Sequence, residues 1–243
     1  MCGRYALFAA PEELARIFRL PLDEVERVFV PRPRFNVAPA ETVLAVRSQA
    51  AEGGAEAVGL KWGLIPHWAK RDDFGARTIN ARAETVARKP AFRDSFRLRR
   101  CLIPASAFYE WHKSPSGRQP YLFRLEESRP FAFAGLWDRW VGPGNEVVES
   151  CVIVTTRPNS LTRQVHDRMP VIVDPQDYNS WLDPALRDPH HLDRMLGPYP
   201  ARRMTGYPVS TAVNRPGNDA HELVRQVGEA LSVLPELDLG LER

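Results

Sequence analysis

Proline limits how long any element of this chain can run. There are 22 prolines in 243 residues. Each fixes φ at about −65° and removes a backbone donor. With an ordinary charged fraction of 26%, this predicts many turns and short strands, not a helical bundle. Residues 30–40 alone hold Pro31, Pro33 and Pro39 and must be largely extended. Apolar runs bounded by turn residues predict strands at 43–47, 57–62, 101–111, 121–125, 131–140, 147–156, 169–173 and 207–211. Helical spacing occurs at 11–19, where Pro11 and two acids accompany Leu14, Ile17 and Phe18. A second short helix is expected over 22–29 and a helix broken at Pro90 over 81–97. Further short helices are expected at 160–165, 176–182, 190–196 and 220–226, and a loop at 48–56. This pattern is not a βαβ alternation. The expected class is α+β, a single domain over 1–243 with a mostly antiparallel, barrel-like sheet and peripheral helices.

Net charge is only +3, but its distribution is uneven. Arg77, Arg82, Arg88, Lys89, Arg93, Arg97, Arg99 and Arg100 face only Glu84 and Asp94 between residues 77 and 100. That concentration reads either as a footprint for a polyanion or as a solvated basic face. Three widely spaced cysteines give neither a disulfide framework nor a metal pair. His190-His191 near Asp188 and Asp193 matches no standard ligand spacing, so no metal or cofactor is expected. The first residues lack a signal-peptide pattern, and no apolar run is long enough to span a bilayer. The expectation is a cytoplasmic protein with free thiols and no membrane partner.

Five segments carry candidate chemistry. If Met1 is trimmed, Cys2 holds an α-amine and a thiol on one residue. That amine has an ordinary pKa of about 7.7–8.0, so a useful fraction is neutral near physiological pH. It can condense with an aldehyde to an imine, on which the thiol closes a five-membered thiazolidine. The alternatives are an amide-hydrolysing thiol nucleophile and a small buried hydrophobe. Asn80 opens the basic segment and suits either a sugar hydroxyl or carbonyl, or the capping of the next helix. Glu110 ends an apolar run and, on a strand, shares a face with Phe108. It reads as a desolvated proton-transfer group or as an exposed strand-end acid. His166 lies in His-Asp-Arg before an apolar strand, as a general acid/base or a structural histidine. Arg82 suits a phosphate, and Trp68 suits base stacking or core packing.

Taken in order, the motifs resemble the SOS response-associated peptidase family, proteins that shield abasic sites. They are Met1-Cys2-Gly3-Arg4-Tyr5, Asn36-Val37-Ala38-Pro39, Trp62-Gly63-Leu64-Ile65-Pro66, Asn80-Ala81-Arg82-Ala83-Glu84-Thr85, Cys101 through Trp111, Phe133-Ala134-Gly135-Leu136-Trp137, His166-Asp167-Arg168-Met169-Pro170 and Val213-Asn214. Departures at Ala107 and Pro158 bear on loop shape. The resemblance implies that Cys2 forms a thiazolidine with the C1′ aldehyde of a ring-opened abasic sugar. It implies that Asn80 orients that sugar, Glu110 moves protons, and His166 assists Schiff-base chemistry and reversal. It further implies that Arg4, Arg82 and Arg168 contact phosphate or the active site. Pro39 and Trp68 would then meet bent DNA at a single-strand/double-strand junction. The expected function is a monomeric DNA-repair protein that crosslinks to abasic sites in single-stranded DNA, with lyase-like chemistry and a family-implied peptidase step before Cys2. The other readings are an N-terminal-nucleophile thiol amidohydrolase and a non-covalent DNA-binding module.

Overall fold

The computed structural model describes residues 2–28, 32–49, 54–115 and 117–233. Its strands are β1 (Tyr5–Leu7), β2 (Arg34–Val37), β3 (Thr42–Ser48), β4 (Ala55–Trp62), β5 (Asn80–Arg82), β6 (Arg100–Ala105), β7 (Ala107–Ser114), β8 (Gly117–Leu125), β9 (Phe131–Val141), β10 (Val147–Thr156), β11 (Met169–Pro170), β12 (Ile172–Val173) and β13 (Met204–Pro208). The α-helices are α1 (Pro11–Phe18), α2 (Leu22–Val28), α3 (Ala83–Val86), α4 (Arg93–Leu98), α5 (Tyr178–Leu182) and α6 (Pro189–Arg194).

Five strands close a barrel in the order β10-β4-β3-β6-β9 and back to β10. Every seam is antiparallel except β10–β4, where Ser150 and Cys151 lie beside Lys61 and Trp62 in parallel. Closure removes the unpaired edges that an open sheet would present. A second, antiparallel sheet runs β13-β8-β7-β1-β2. This is the expected α+β, barrel-like architecture. No helix among the described residues is long and apolar enough to cross a membrane.

The predicted strand over 101–111 is two strands in two sheets. The chain turns at Ser106, whose amide donates to Ala6 O (2.7 Å) and whose hydroxyl accepts Phe8 N–H (3.0 Å). Apart from Ser106 and Glu110 the run is apolar throughout, so periodicity alone cannot show where it divides between the two layers. An aromatic cluster joins the layers. Tyr5 packs at 5.5 Å from Trp62 and 5.7 Å from Phe133, and Phe108 stacks on Phe123 at 5.2 Å. Such pairs add about 0.5–1.5 kcal/mol each beyond area burial.

Other expectations are corrected. The helix predicted over 81–97 begins as strand: Asn80–Arg82 lies parallel to Ile153–Thr155, and only 83–86 and 93–98 are helical. The strand predicted at 169–173 splits at Val171, with Met169–Pro170 on β10 and Ile172–Val173 on β9. The strand predicted at 207–211 sits three residues earlier, because the Ser210 hydroxyl caps a 3-10 turn at Thr211–Asn214. The helices expected at 160–165 and 220–226 are single 3-10 turns, Thr162–Gln164 and His221–Val224. Part of the predicted 30–40 extension and of the 48–56 loop lies outside the described residues.

Candidate active site

The N-terminal segment is drawn inward by the second sheet. Tyr5 pairs with Phe108, and Tyr109 N–H donates to Arg4 O (3.0 Å), so residues 2–4 run beside 109–111. Cys2 is fully buried, and its Sγ lies 3.8 Å from Arg4 O. Burial pushes its thiol far above the ordinary range, with the nearby Glu110 adding to the shift. Asn80 reaches the same residue from β5, its Nδ2 donating to Cys2 O at 2.8 Å. That bond settles the open helix-cap reading of Asn80, because the N-cap position of α3 belongs to Arg82. The buried Oδ1 of Asn80 has no hydrogen-bond partner among the described residues, leaving an acceptor for another molecule.

Glu110 shares the inward face of β7 with Phe108, as the two-residue period requires. It is 1% exposed, and desolvation raises its carboxyl from 4.5 to about 7. Its Oε2 faces His166 Nε2 at 3.9 Å. Burial lowers the His166 imidazole below its usual 6.5. His166 Nδ1 accepts the Arg168 backbone N–H at 3.0 Å, yet Asp167 Oδ1 lies equally close. One nitrogen cannot accept from the first and donate to the second. The amide bond decides, because the Asp167 side chain is 88% exposed and an exposed charge gains little from the contact. The hydrogen-bond network therefore assigns the proton to Nε2, on the Glu110 side. Near neutrality the site holds a neutral imidazole beside a carboxyl that is partly protonated.

The arginines are held differently. Arg4 Nη1 donates to Asn36 Oδ1 (2.8 Å) and Val213 O (3.0 Å). Asn36 in turn donates to the carbonyls of Val213, Arg215 and Asn218, and its amide joins that of Phe35 on Asp219 Oδ1. Arg168 is engaged by Glu84 and the Thr155 carbonyl, whereas Arg82 is exposed. Sequence reasoning assigned no role to Asn36, Glu84 or Asp219. The first two sit inside the quoted motifs; Asp219 has no local signal.

Pro39 and Trp68 lie off this cluster. Both flank the end of β4, where Ala40 N–H donates to Trp62 O and Gly63 turns the chain towards Trp68. Trp62 Nε1 donates to Ile79 O, next to Asn80. Trp68 is 48% exposed, edge-on to Phe74. Of the eight basic residues in 77–100, Arg100 is internal and Arg99 pairs with the buried Asp138. The other six are exposed, which trims the expected cationic footprint. A groove of about 340 Å³ lined by Gly3, Arg4, Trp111, Arg118 and Asn214 adjoins the residue after Cys2. A smaller cavity of about 140 Å³ between Leu125, Phe131 and Arg203 contains none of these groups. No metal-ligating cluster occurs among the described residues.

The profile of the family described as SOS response associated peptidase (SRAP) matches residues 1–216. Abasic site processing protein YoqW of Bacillus subtilis (strain 168) is 41% identical over 226 residues, covering 92% of this chain and 99% of that protein. Abasic site processing protein YedK of Escherichia coli (strain K12) is 27% identical, covering 93% and 100%. A crystal structure of a protein from Bacteroides thetaiotaomicron superposes with a TM-score of 0.82 at 25% identity, covering 93% of this chain and all of that one.

Proposed function

Because this chain belongs to the SOS response-associated peptidase family, we propose that it processes abasic sites in single-stranded DNA and at single-strand/double-strand junctions by bonding to them through Cys2. With Met1 removed, the Cys2 amine attacks the C1′ aldehyde of the ring-opened sugar. Water leaves to give an imine. The thiol then adds to the imine carbon as its proton passes to nitrogen, closing a thiazolidine. One water is released, and neither oxidant nor cofactor takes part.

The observation that carries this reading is the 2.8 Å bond from Asn80 to the Cys2 carbonyl. It fixes the terminal residue beside two groups able to move protons. Glu110, with its carboxyl near 7, supplies the proton for ring opening and for the departing hydroxyl. His166, neutral at this pH, relays protons through Nε2 and serves reversal. The free Oδ1 of Asn80 accepts from a sugar hydroxyl. Exposed Arg82 meets the strand's phosphates, Arg4 and the Glu84-bound Arg168 border the active site, and Pro39 and Trp68 meet the duplex end. The protein acts as a monomer.

An amidohydrolase built on Cys2 needs a thiolate, and burial opposes thiolate formation. Amine-first chemistry leaves the thiol protonated until the imine has formed. The test is incubation with uracil-containing single-stranded DNA pretreated with a uracil glycosylase, followed by a denaturing gel. A shifted DNA–protein band is expected for wild type and none for Cys2→Ala. If wild type behaves like Cys2→Ala, the proposal fails.

A further inference from the structure

Two motif segments meet behind the reacting groups. Glu84, in α3 directly after β5, accepts Arg168 Nη1 at 2.6 Å and Nη2 at 3.0 Å on its two oxygens. Nη2 also donates to Thr155 O of β10 at 2.5 Å. The Arg168 side chain is only 13% exposed. The pull of Arg168 holds the Glu84 carboxyl below its usual range. Arg168 then acts through its main chain, whose N–H donates to His166 Nδ1 at 3.0 Å.

We infer that Glu84 is a positioning residue: by gripping Arg168 on both terminal nitrogens it holds the Arg168 amide against His166 Nδ1, keeping the imidazole as the Nε2–H tautomer that faces Glu110. The kinetic consequence rests on the proposed function; the tautomer does not. Bidentate carboxylate–guanidinium pairing fixes geometry as well as charge. Without the carboxylate, the Arg168 head keeps only Thr155 and turns towards water, drawing its amide away from the ring. Asp167 Oδ1, 3.0 Å from Nδ1, is then the acceptor at hand. To bond it, Nδ1 must carry the proton, which strips Nε2 of its hydrogen on the Glu110 side. Glu84 thus decides between two named partners of one nitrogen, and so which atom carries the proton opposite Glu110.

The test uses the full chain labelled with ¹⁵N-histidine, free of DNA, with His166 assigned by comparison with His166→Gln. Two-bond ¹H–¹⁵N spectra at about pH 8, where imidazoles are neutral, are expected to show the Nε2–H tautomer in wild type. Glu84→Ala is expected to move His166 towards Nδ1–H, and Glu84→Ala/Asp167→Ala to restore Nε2–H by removing the competing acceptor. In single-turnover crosslinking to abasic single-stranded DNA, Glu84→Ala should lower the maximal rate about tenfold, part of the 10²–10⁴-fold that positioned acid–base groups supply. The half-saturating DNA concentration should change by less than about threefold, and the double variant should recover the rate. An unchanged tautomer in Glu84→Ala, or a double variant no different from the single, overturns the inference even if wild type crosslinks. A tautomer that responds as described in a wild type that forms no crosslink upholds the clamp and removes the proposed function instead.

Discussion

His166 Nε2 stands 3.9 Å from Glu110 Oε2, and burial moves both groups away from charge. The carboxyl rises to about 7 while the imidazole falls below 6.5. Near neutrality the pair is therefore a neutral imidazole beside a partly protonated carboxyl, suited to proton transfer. If Glu110 donates a proton and the Cys2 amine must be free, the two requirements oppose each other in pH. The amine, ordinarily near 7.7–8.0, becomes neutral as pH rises, while Glu110 loses its proton above about 7. The crosslinking rate should be bell-shaped, with its maximum between about pH 7 and 8. Glu110→Gln should abolish the alkaline limb and lower the maximum. A flat profile from about pH 5 to 9 in the wild type would contradict this scheme.

The same burial has a stability consequence of definite sign. Between about 4.5 and 7 the folded chain keeps a proton on Glu110 that the unfolded chain has lost. Stability from this group therefore falls as pH rises through that window and is level above it. The interval corresponds to roughly 3 kcal/mol at full ionisation. Glu110→Gln should thus be more stable than wild type at pH 8, by about 1–3 kcal/mol, and nearly equal to it at pH 4. Urea titrations at the two pH values measure the difference. A gap that does not widen with pH would show that Glu110 is not desolvated in solution.

How far the sequence reaches can be seen residue by residue. Most barrel strands were legible because each is an apolar run between turn residues. Glu110 was legible because Phe108 fixes its face. The strand Asn80–Arg82 was not: three residues carry no periodicity, and the partner that makes them a strand, Ile153–Thr155, is some seventy positions on. Asp219 was invisible for the same reason, since its bonds to Arg34, Phe35 and Asn36 join residues about 185 apart. Arg100 reads as one more surface cation, and only the fold shows it inside.

Gly63 offers a backbone test of the loop that carries Trp68. Its φ is +134°, and an added Cβ would meet Gly75 O at 2.6 Å. Both the dihedral and the contact exclude a side chain. Gly63→Ala should destabilise the protein by roughly 1–3 kcal/mol and shift the emission of the half-exposed Trp68. Thermal melts and fluorescence check both outcomes. An unchanged melting temperature would mean that the Gly63–Gly75 approach is not kept in solution.

Arg82 and Arg100 separate the two uses of the basic segment. Arg100 spends five N–H donors on carbonyls: Nε on Trp181, Nη1 on Phe96 and Arg97, Nη2 on Asp183 and Leu186. Burial pushes its guanidinium down to about 10. Lysine keeps the charge but cannot reproduce the planar fork. Arg100→Lys should therefore lower stability by about 2–4 kcal/mol and leave the salt dependence of single-stranded DNA binding unchanged. Arg82 is exposed on β5, two residues from Asn80. Arg82→Ala should leave stability within about 0.5 kcal/mol and reduce the slope of log affinity against log salt by about 0.7, the loss of one phosphate contact on a single strand. The Cys2→Ala background keeps binding non-covalent during the titration. If Arg100→Lys, measured where it remains folded, alters the slope as Arg82→Ala does, the division between internal and DNA-facing arginines is wrong.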